Sequence, residues 1–115
     1  MTSFKRADRV GDQIRAELAD ILRDKIRDPR VGFVTVTAVR VSDDLRHARV
    51  FLSRLDGDIQ DALEGLGRAK GYLRGELGRR IRLRFTPELS FHEDRSGEEA
   101  ARIYKMMDDL KEPRS

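Results

Sequence analysis

Basic side chains are concentrated in one short stretch of this 115-residue chain, between Arg68 and Arg84. Seven lysines and arginines stand there against a single acidic residue, Glu76, although the whole chain has a formal net charge of only +3. Guanidinium and ammonium groups bind phosphates, and the counterions released on binding drive association. The stretch therefore predicts contact with a polyanion such as RNA. A solvated helix face is the alternative, because charge runs are common on ordinary surfaces.

The arginines at the end of this stretch are the main candidates for phosphate contact. The pattern places Arg79 and Arg80 at a helix end, and Arg82 and Arg84 on the outward face of a strand that begins there. Basic residues near the N-terminus could extend the surface, or they could simply form a soluble first turn. The full predicted RNA-binding set is Lys5, Arg6, Arg9, Lys70, Arg74, Arg79, Arg80, Arg82 and Arg84.

Residues that could catalyse a reaction or bind a metal are few. His47 and His92 are the only histidines, and they lie on different predicted strands. The string His92-Glu93-Asp94 has metal-ligating side chains, but three adjacent residues rarely converge on one ion, and a strand ending in a polar turn explains them better. The chain contains no cysteine, so it has no thiolate ligand. We predict a protein that is not an enzyme and that has no metal and no cofactor.

One aromatic residue has two interpretations. Phe51 alternates with smaller apolar residues on the second predicted strand. Aromatic side chains on exposed sheet faces stack on RNA bases in several binding domains. A single phenylalanine is more often part of a core, however, and helices are expected to cover one face of this sheet. We therefore predict core packing for Phe51.

The first half of the chain predicts one helix and two strands. Apolar residues at three- and four-residue spacing, from Val10 to Ile26, indicate a helix over 7–27 that Asp28-Pro29 ends. The period then changes to two over 33–41 and over 46–53. Aspartates 43 and 44 form the turn between these strands. In the first strand, strict alternation would put residues 33, 35, 37, 39 and 41 on one face.

The next segment predicts two short helices with a break between them. Asp58 is placed to cap a helix, and helical spacing resumes at Leu73. Five glycines between Gly65 and Gly78 argue against one continuous helix. The G-x-x-G spacing at Gly75-Glu76-Leu77-Gly78 would leave too short a second helix and would present an acid to phosphate. A kink at Ala69-Lys70-Gly71, followed by a helix over 71–79, fits the periodicity better.

The chain ends with a third strand and a last helix. Residues 82–92 alternate, and Pro87 within them indicates an edge position or a bulge. Ser96 and Glu99 form a capping-box pattern ahead of an apolar stripe at Ala100, Ile103, Met107 and Leu110. The fold class is therefore α+β: a two-layer domain with a three-stranded sheet and helices on one face. We predict a single domain over 1–111 and a short frayed tail over 112–115.

The order helix, strand, strand, helix, kink, helix, strand, plus a C-terminal helix, is that of a type II KH-like fold. The residues resemble ribosome-binding factor A, a bacterial small-subunit assembly factor family in which an Ala-x-Gly kink replaces the G-x-x-G loop. The strings that support the resemblance are Arg9-Val10, Asp28-Pro29-Arg30-Val31-Gly32, Ser42-Asp43-Asp44-Leu45, Ala69-Lys70-Gly71, Leu77-Gly78, Arg82-Leu83-Arg84, Pro87-Glu88-Leu89 and Phe91.

This resemblance implies a non-catalytic partner of the free small ribosomal subunit and its precursor rRNA. It would bind RNA near the neck and decoding region and assist late maturation, including 16S rRNA processing. A general KH-like module that binds single-stranded nucleic acid is the alternative. No apolar run approaches the roughly 20 residues of a membrane span, and the N-terminus lacks a signal sequence, so we expect a cytoplasmic monomer with no membrane or small-molecule partner.

Overall fold

The computed structural model describes residues 2–24 and 32–111, with side chains from Arg6 to Asp24 and from Gly32 to Leu110. The order of elements is the predicted one. The predicted exit of the first helix at Asp28-Pro29 and the tail over 112–115 lie outside these residues. The elements are α1 (Thr2–Asp24), β1 (Val34–Val41), β2 (His47–Arg54), α2 (Ile59–Arg68), α3 (Lys70–Arg80), β3 (Glu88–Glu93) and α4 (Ser96–Lys111).

Helix α1 covers one face of the sheet. The predicted stripe is confirmed, because Val10, Ile14, Leu18 and Ile21 are all buried. Gly11 allows the close approach of helix and strand, since a Cβ atom there would lie 2.8 Å from the carbonyl oxygen of Val39. This packing places α1 against β1 and fixes which flank of the helix faces solvent.

The sheet has the strand order β1-β2-β3. Strands β1 and β2 are antiparallel neighbours joined by the predicted hairpin turn, and β2 and β3 run parallel. The α2–α3 helical connection is long enough for the crossover that parallel pairing requires. Core side chains from α2, α3 and the sheet meet α1 here: Leu66, Leu73, Leu77, Val50, Leu52 and Leu89 are buried.

Strand β1 contains a bulge that changes which residues face the core. The register shifts between Val36 and Ala38, so Thr37 is an extra residue in the ladder. Val34, Val36, Val39 and Val41 consequently all pack toward the core. The predicted strict alternation of this strand is therefore wrong beyond Val36, and Arg40 takes a place on the opposite face.

The loop that follows Arg54, the last residue of β2, contacts the residue before β1 and the start of α2, since Asp56 accepts from the amide of Phe33 at 3.2 Å. The side chain of Arg54 is 8% exposed, and its Nε donates to Asp56 Oδ1 at 3.1 Å. Its Nη1 donates to the carbonyl oxygen of Asp58 at 2.9 Å, beside the predicted helix cap. Asp58 Oδ1 accepts from the amide of Gln60 at 2.9 Å, so the prediction of a cap at Asp58 is confirmed.

Helix α4 departs from the prediction. Every side chain from Ser96 to Leu110 is exposed, so the stripe of Ile103, Met107 and Leu110 does not join the core. The start of the helix also differs, because Asp94 Oδ1 accepts the amide of Ser96 at 2.8 Å and Ser96 is already helical. The predicted capping box at Ser96 is therefore replaced by a cap from Asp94.

Candidate nucleic-acid interface

The segment that contains Arg82 and Arg84 is not a strand. Strand β3 begins only at Glu88, whose amide donates to the carbonyl oxygen of Arg46 at 2.8 Å. The predicted start of this strand at Arg82 is therefore wrong. Phe85, which strict alternation over 82–92 would place on the face opposite Arg82 and Arg84, is 65% exposed. Residues 82–87 form a surface loop that carries arginines rather than a paired strand.

Arg74 explains why pairing starts late. Its Nη2 donates to the carbonyl oxygen of Thr86 at 2.9 Å, and its Nε donates to that of Pro87 at 3.1 Å. Its Nη1 also lies 3.3 Å from Glu88 Oε1. These contacts anchor the loop on α3 and direct its arginines outward. Arg74 was predicted as an RNA contact, and its observed contacts are within the fold.

Arg80 is likewise bound within the protein. Its Nη1 lies 3.2 Å from Glu17 Oε1 and 3.1 Å from Asp20 Oδ2, and its Nε lies 3.6 Å from Glu76 Oε2. The carboxylates of Glu17 and then Asp20 raise the pKa of Arg80 above its ordinary value. This network joins α3 to α1. Arg79 also pairs with Glu76, but its side chain remains 66% exposed.

Arg82 and Arg84 are exposed, and neither forms an ion pair in the described part of the chain. The guanidinium carbon of Arg84 lies 5.6 Å from the centroid of the Phe85 ring, which holds the side chain against the surface. Arg82 borders a groove whose other lining residues include Gln13, Ala16 and Glu17 of α1. Arg82 thus faces solvent beside the first helix, and Arg84 faces solvent from the same loop.

Two basic residues of α1, Arg6 and Arg9, lie on the flank that faces this groove. Arg6 and Arg9 are exposed, and steps of three and four residues place them in line with Gln13. Among residues 2–24 and 32–111, neither forms an ion pair. The side chain of Lys5 is not among the described ones. The structure therefore places Arg6 and Arg9 on the same side as Arg82. We call Arg6, Arg9, Arg79, Arg82 and Arg84 the basic surface.

The kink lies where it was predicted. Ala69 separates α2 from α3 with φ −87° and ψ 4°. The amide of Leu73 donates to the carbonyl oxygen of Ala69 at 2.9 Å, so the three amides before it, from Lys70 to Tyr72, have no acceptor within α3. Lys70 is half-buried, and no ion pair of it is found in the described residues. Helix starts of this kind attract anions.

The G-x-x-G spacing has a structural role. Gly75 and Gly78 both lie inside α3. A Cβ atom on Gly78 would lie 3.0 Å from the hydroxyl oxygen of Thr86, in the loop that Arg74 anchors. Gly78 therefore permits the loop to pack against the helix, and this spacing does not form a phosphate-binding loop.

The string His92-Glu93-Asp94, whose residue types resemble metal ligands, does not form a metal site. Within the described ranges no group of three or more histidine, aspartate or glutamate side chains could hold an ion. Ser90 Oγ lies 2.8 Å from His92 Nε2, Glu93 pairs with Arg95, and Asp94 caps α4. Over the same described ranges, no helix is long and apolar enough to cross a membrane.

The sheet face opposite α1, α2 and α3, which the start of α4 borders, carries residues that the sequence reasoning missed. Phe51 lies on this face, half-buried, rather than in the core, so its predicted core packing is wrong. Its ring neighbours that of His92, with centroids 5.5 Å apart. Arg40 and Arg49, which were not considered, are cross-strand partners on this face. The bulge at Thr37, which no sequence pattern signalled, brings Arg40 there.

Comparison with known proteins gives one consistent family. Residues 6–107 match the family model described as ribosome-binding factor A. A ribosome-binding factor A from Azoarcus sp. (strain BH72) is 50% identical over 108 residues, which cover 92% of this chain and 86% of the relative. One from Syntrophus aciditrophicus is 49% identical over 112 residues, covering 96% of this chain and 91% of the relative.

Structures of ribosome-binding factor A are similar to the fold of this chain. The crystal structure of ribosome-binding factor A from Thermus thermophilus superposes with a TM-score of 0.73 at 32% identity, covering 78% of this chain and 97% of that one. A model of the Thermus thermophilus factor fitted into a cryo-EM map of its 30S complex gives a TM-score of 0.65 at 34% identity, covering 74% of this chain and 91% of that one. The chain belongs to the ribosome-binding factor A family.

Proposed function

We propose that this protein binds the free small ribosomal subunit and its precursor rRNA and assists late maturation, including 16S rRNA processing, without catalysing a reaction. The observation on which this rests is the basic surface on α1 and at the C-terminal end of α3, in which Arg82 and Arg84 are exposed and without an acidic partner among the described residues. A related protein has been fitted into a map of its 30S complex, which supports the same partner here.

The proposed contact is electrostatic and has two parts. Arg6, Arg9, Arg79, Arg82 and Arg84 would bind phosphates of structured RNA through charge-assisted hydrogen bonds. Lys70 and the amides at the start of α3 would take a phosphate at the kink. Arg74 and Arg80, which the sequence pattern also assigned to RNA, would act indirectly by anchoring the loop and α3. The protein would act in this way as a monomer in the cytoplasm.

The glycine at the kink favours close approach of a ligand. A Cβ atom on Gly71 would meet no atom within 4 Å, and its backbone is not in the left-handed region. Neither packing nor conformation therefore requires glycine at this position. A phosphate that approaches the backbone closely would provide a reason for it.

Co-sedimentation with purified free small subunits tests the proposal. The wild-type protein is expected to bind at low salt and to lose affinity steeply between about 50 and about 200 mM salt. Arg82→Glu and Arg84→Glu should each weaken binding strongly. Arg15→Glu is the matched control, because Arg15 is exposed on the opposite flank of α1. Binding that persists at high salt and in both variants would refute the electrostatic contact.

A generic single-stranded nucleic-acid-binding module is the second candidate, since the order of elements is KH-like. It predicts equal affinity for small subunits and for unstructured RNA at the same concentration of phosphate. A competition experiment distinguishes these two candidates. If the proposed function is correct, unlabelled unstructured RNA should fail to displace the protein from small subunits.

A further inference from the structure

We infer that the sheet face opposite α1, α2 and α3, which the start of α4 borders, is a second RNA-binding site that takes an unpaired nucleotide. Its base would lie on the rings of Phe51 and His92, and its phosphates would lie at Arg40 and Arg49. We call these four residues the open face. The inference rests on the proposed function for the class of its ligand, and it assigns RNA contact to a surface distinct from the basic surface.

The aromatic part of the open face spans two strands. Phe51 and His92 are register partners in the parallel pair β2–β3, and their ring planes are inclined at 34°. The contact of Ser90 Oγ with His92 Nε2, at 2.8 Å, holds the imidazole in place. Both side chains are half-buried, so each retains an accessible surface. A nucleobase can stack on such a surface whatever its identity.

The cationic part lies directly beside it. Arg40 and Arg49 are Cα partners in the antiparallel pair β1–β2, and both are exposed. Like charges directly opposite each other destabilise a sheet. Neither arginine has an ion-pair partner within residues 2–24 and 32–111. The guanidinium carbon of Arg49 also lies 5.7 Å from the Phe51 ring centroid, so a cation and an aromatic ring are presented together.

Two of the acids beside the open face, Glu93 and Asp94, are engaged in other contacts. Arg95 Nε donates to Glu93 Oε1 at 3.0 Å, and Asp94 accepts from the amide of Ser96. Hydrogen bonds from Thr37 and then from Ser96 also hold the pKa of Asp94 below its ordinary value. Glu99 lines the same groove as Arg40, and three aspartates line a second groove with Arg40 and Arg49: Asp8, Asp12 and Asp43. No carboxylate of the described residues forms an ion pair with either arginine, so both guanidinium groups remain available for a polyanion.

Charge complementarity favours RNA over a protein segment on this face. An apolar helix laid across the sheet would remove two unpaired guanidinium groups from water, which costs free energy without a compensating anion. An unpaired nucleotide instead supplies an anion for the arginines and a flat apolar surface for the rings. A duplex does not fit this description, because its bases are already stacked.

Titration of the ¹⁵N-labelled full chain with a short uridine RNA tests the site. The amides expected to shift are those of residues 38–40, 49–51 and 90–92. Binding measured by fluorescence anisotropy then separates the two parts of the open face. Phe51→Leu should weaken binding about tenfold without changing its salt dependence. Arg40→Gln or Arg49→Gln should reduce the slope of log K against log salt by about 0.7.

Arg15→Gln is the matched control, since it removes the same charge from an exposed position on the helical layer. It should change neither the affinity for uridine RNA nor the salt slope. Thermal melting of each variant verifies that the fold is intact. If Phe51→Leu fails to fold, the two arginine variants still test the site through their salt slopes.

The results test the second site and the proposed function separately. Amide shifts confined to residues 70–84, or wild-type binding by Phe51→Leu, Arg40→Gln and Arg49→Gln, would overturn the inference while co-sedimentation with small subunits could still succeed. Conversely, shifts on the open face without any co-sedimentation would refute the proposed function and leave the second site standing.

Discussion

Nη1 of Arg80 lies 3.2 Å from Oε1 of Glu17, so an arginine in the middle of the basic stretch is bound to the first helix. Asp20 and Glu76 complete the set of carboxylates around it. Together with Arg74, which is bonded to two carbonyl groups, Arg80 supports the surface on which Arg82 and Arg84 are displayed. The basic stretch of the sequence thus contains two kinds of arginine. Arg74 and Arg80 are bonded within the protein, whereas Arg82 and Arg84 face solvent.

Charge reversal should separate these two kinds. Arg80→Glu would place a carboxylate among Glu17, Asp20 and Glu76, so we expect a clear fall in melting temperature and a smaller fall for Arg80→Gln. Arg82→Glu changes an exposed side chain without an ion pair in the described part of the chain, and should leave the melting temperature within about 3 °C of wild type. Thermal melting followed by circular dichroism measures the melting temperatures of all three variants.

This prediction has a direct consequence for binding experiments. A loss of subunit binding by Arg80→Glu reports altered packing of α3, whereas the same loss by Arg82→Glu reports RNA contact. Equal melting temperatures for Arg80→Glu and Arg82→Glu would contradict the structural role of the Arg80 network.

Removing the Arg74 side chain should release the loop at 82–87. Arg74→Met retains the apolar stem but leaves the carbonyl groups of Thr86 and Pro87 without this donor. We expect a loss of about 2 kcal/mol in the free energy of unfolding, measured by urea titration. Subunit binding should weaken as well, because the loop arginines lose their position.

Arg84→Met is the matched control for that experiment. It removes an exposed arginine from the loop itself, so binding should weaken while the free energy of unfolding changes by less than about 0.5 kcal/mol. If Arg74→Met were as stable as wild type, the anchoring role of Arg74 would be wrong.

Much of the fold follows from local patterns in the sequence. The three- and four-residue spacing from Val10 to Ile21 predicted the buried stripe of α1, because helical geometry fixes which side chains share a face. Glycine content and periodicity together predicted the kink at Ala69. The helical connection between β2 and β3 permits their parallel pairing but does not by itself specify it.

The features of the fold that the sequence did not predict depend on contacts between residues far apart in the chain. The bulge at Thr37 is set by pairing with β2, and strict alternation could not reveal it or the placement of Arg40. The late start of β3 depends on Arg74 binding carbonyl groups 12 and 13 residues further along the chain. Helix α4 has an apolar stripe that predicted burial, yet a stripe does not specify whether its partner lies in the same chain.

Acid should weaken the loop around Asp56. Hydrogen bonding to Arg54, the largest cause, and to the amide of Phe33 lowers the pKa of Asp56. A carboxyl whose pKa is lower in the folded state contributes stability above its unfolded pKa of about 3.9, and that stability is lost as pH falls through the folded value. The free energy of unfolding should therefore decline more steeply below about pH 4 in wild type than in Asp56→Asn.

Urea titrations between about pH 6 and pH 2.5 measure this difference. Asp108→Asn is the control, because Asp108 lies on exposed α4 and forms no ion pair in the described part of the chain. It should follow the wild-type curve. A constant difference between wild type and Asp56→Asn across the whole pH range would contradict the assignment.

The two helical glycines with open surroundings allow folding and binding to be separated at the kink. A Cβ atom on Gly67 or on Gly71 would meet no atom within 4 Å. Replacing either glycine by alanine should therefore stabilise the fold by about 0.5 kcal/mol, since alanine loses less backbone entropy in a helix. Gly67 lies before the kink in α2, whereas Gly71 lies among the free amides at the start of α3.

Their effects on subunit binding should differ. Gly71→Ala places a methyl group where a phosphate is proposed to approach the backbone, so the affinity should fall about fivefold to tenfold, equivalent to about 1 kcal/mol. Gly67→Ala should bind as wild type does. Co-sedimentation measures binding and urea titration measures stability on the same samples. Unchanged affinity of a stably folded Gly71→Ala would remove the kink from the RNA interface, because the added methyl group would then obstruct no ligand.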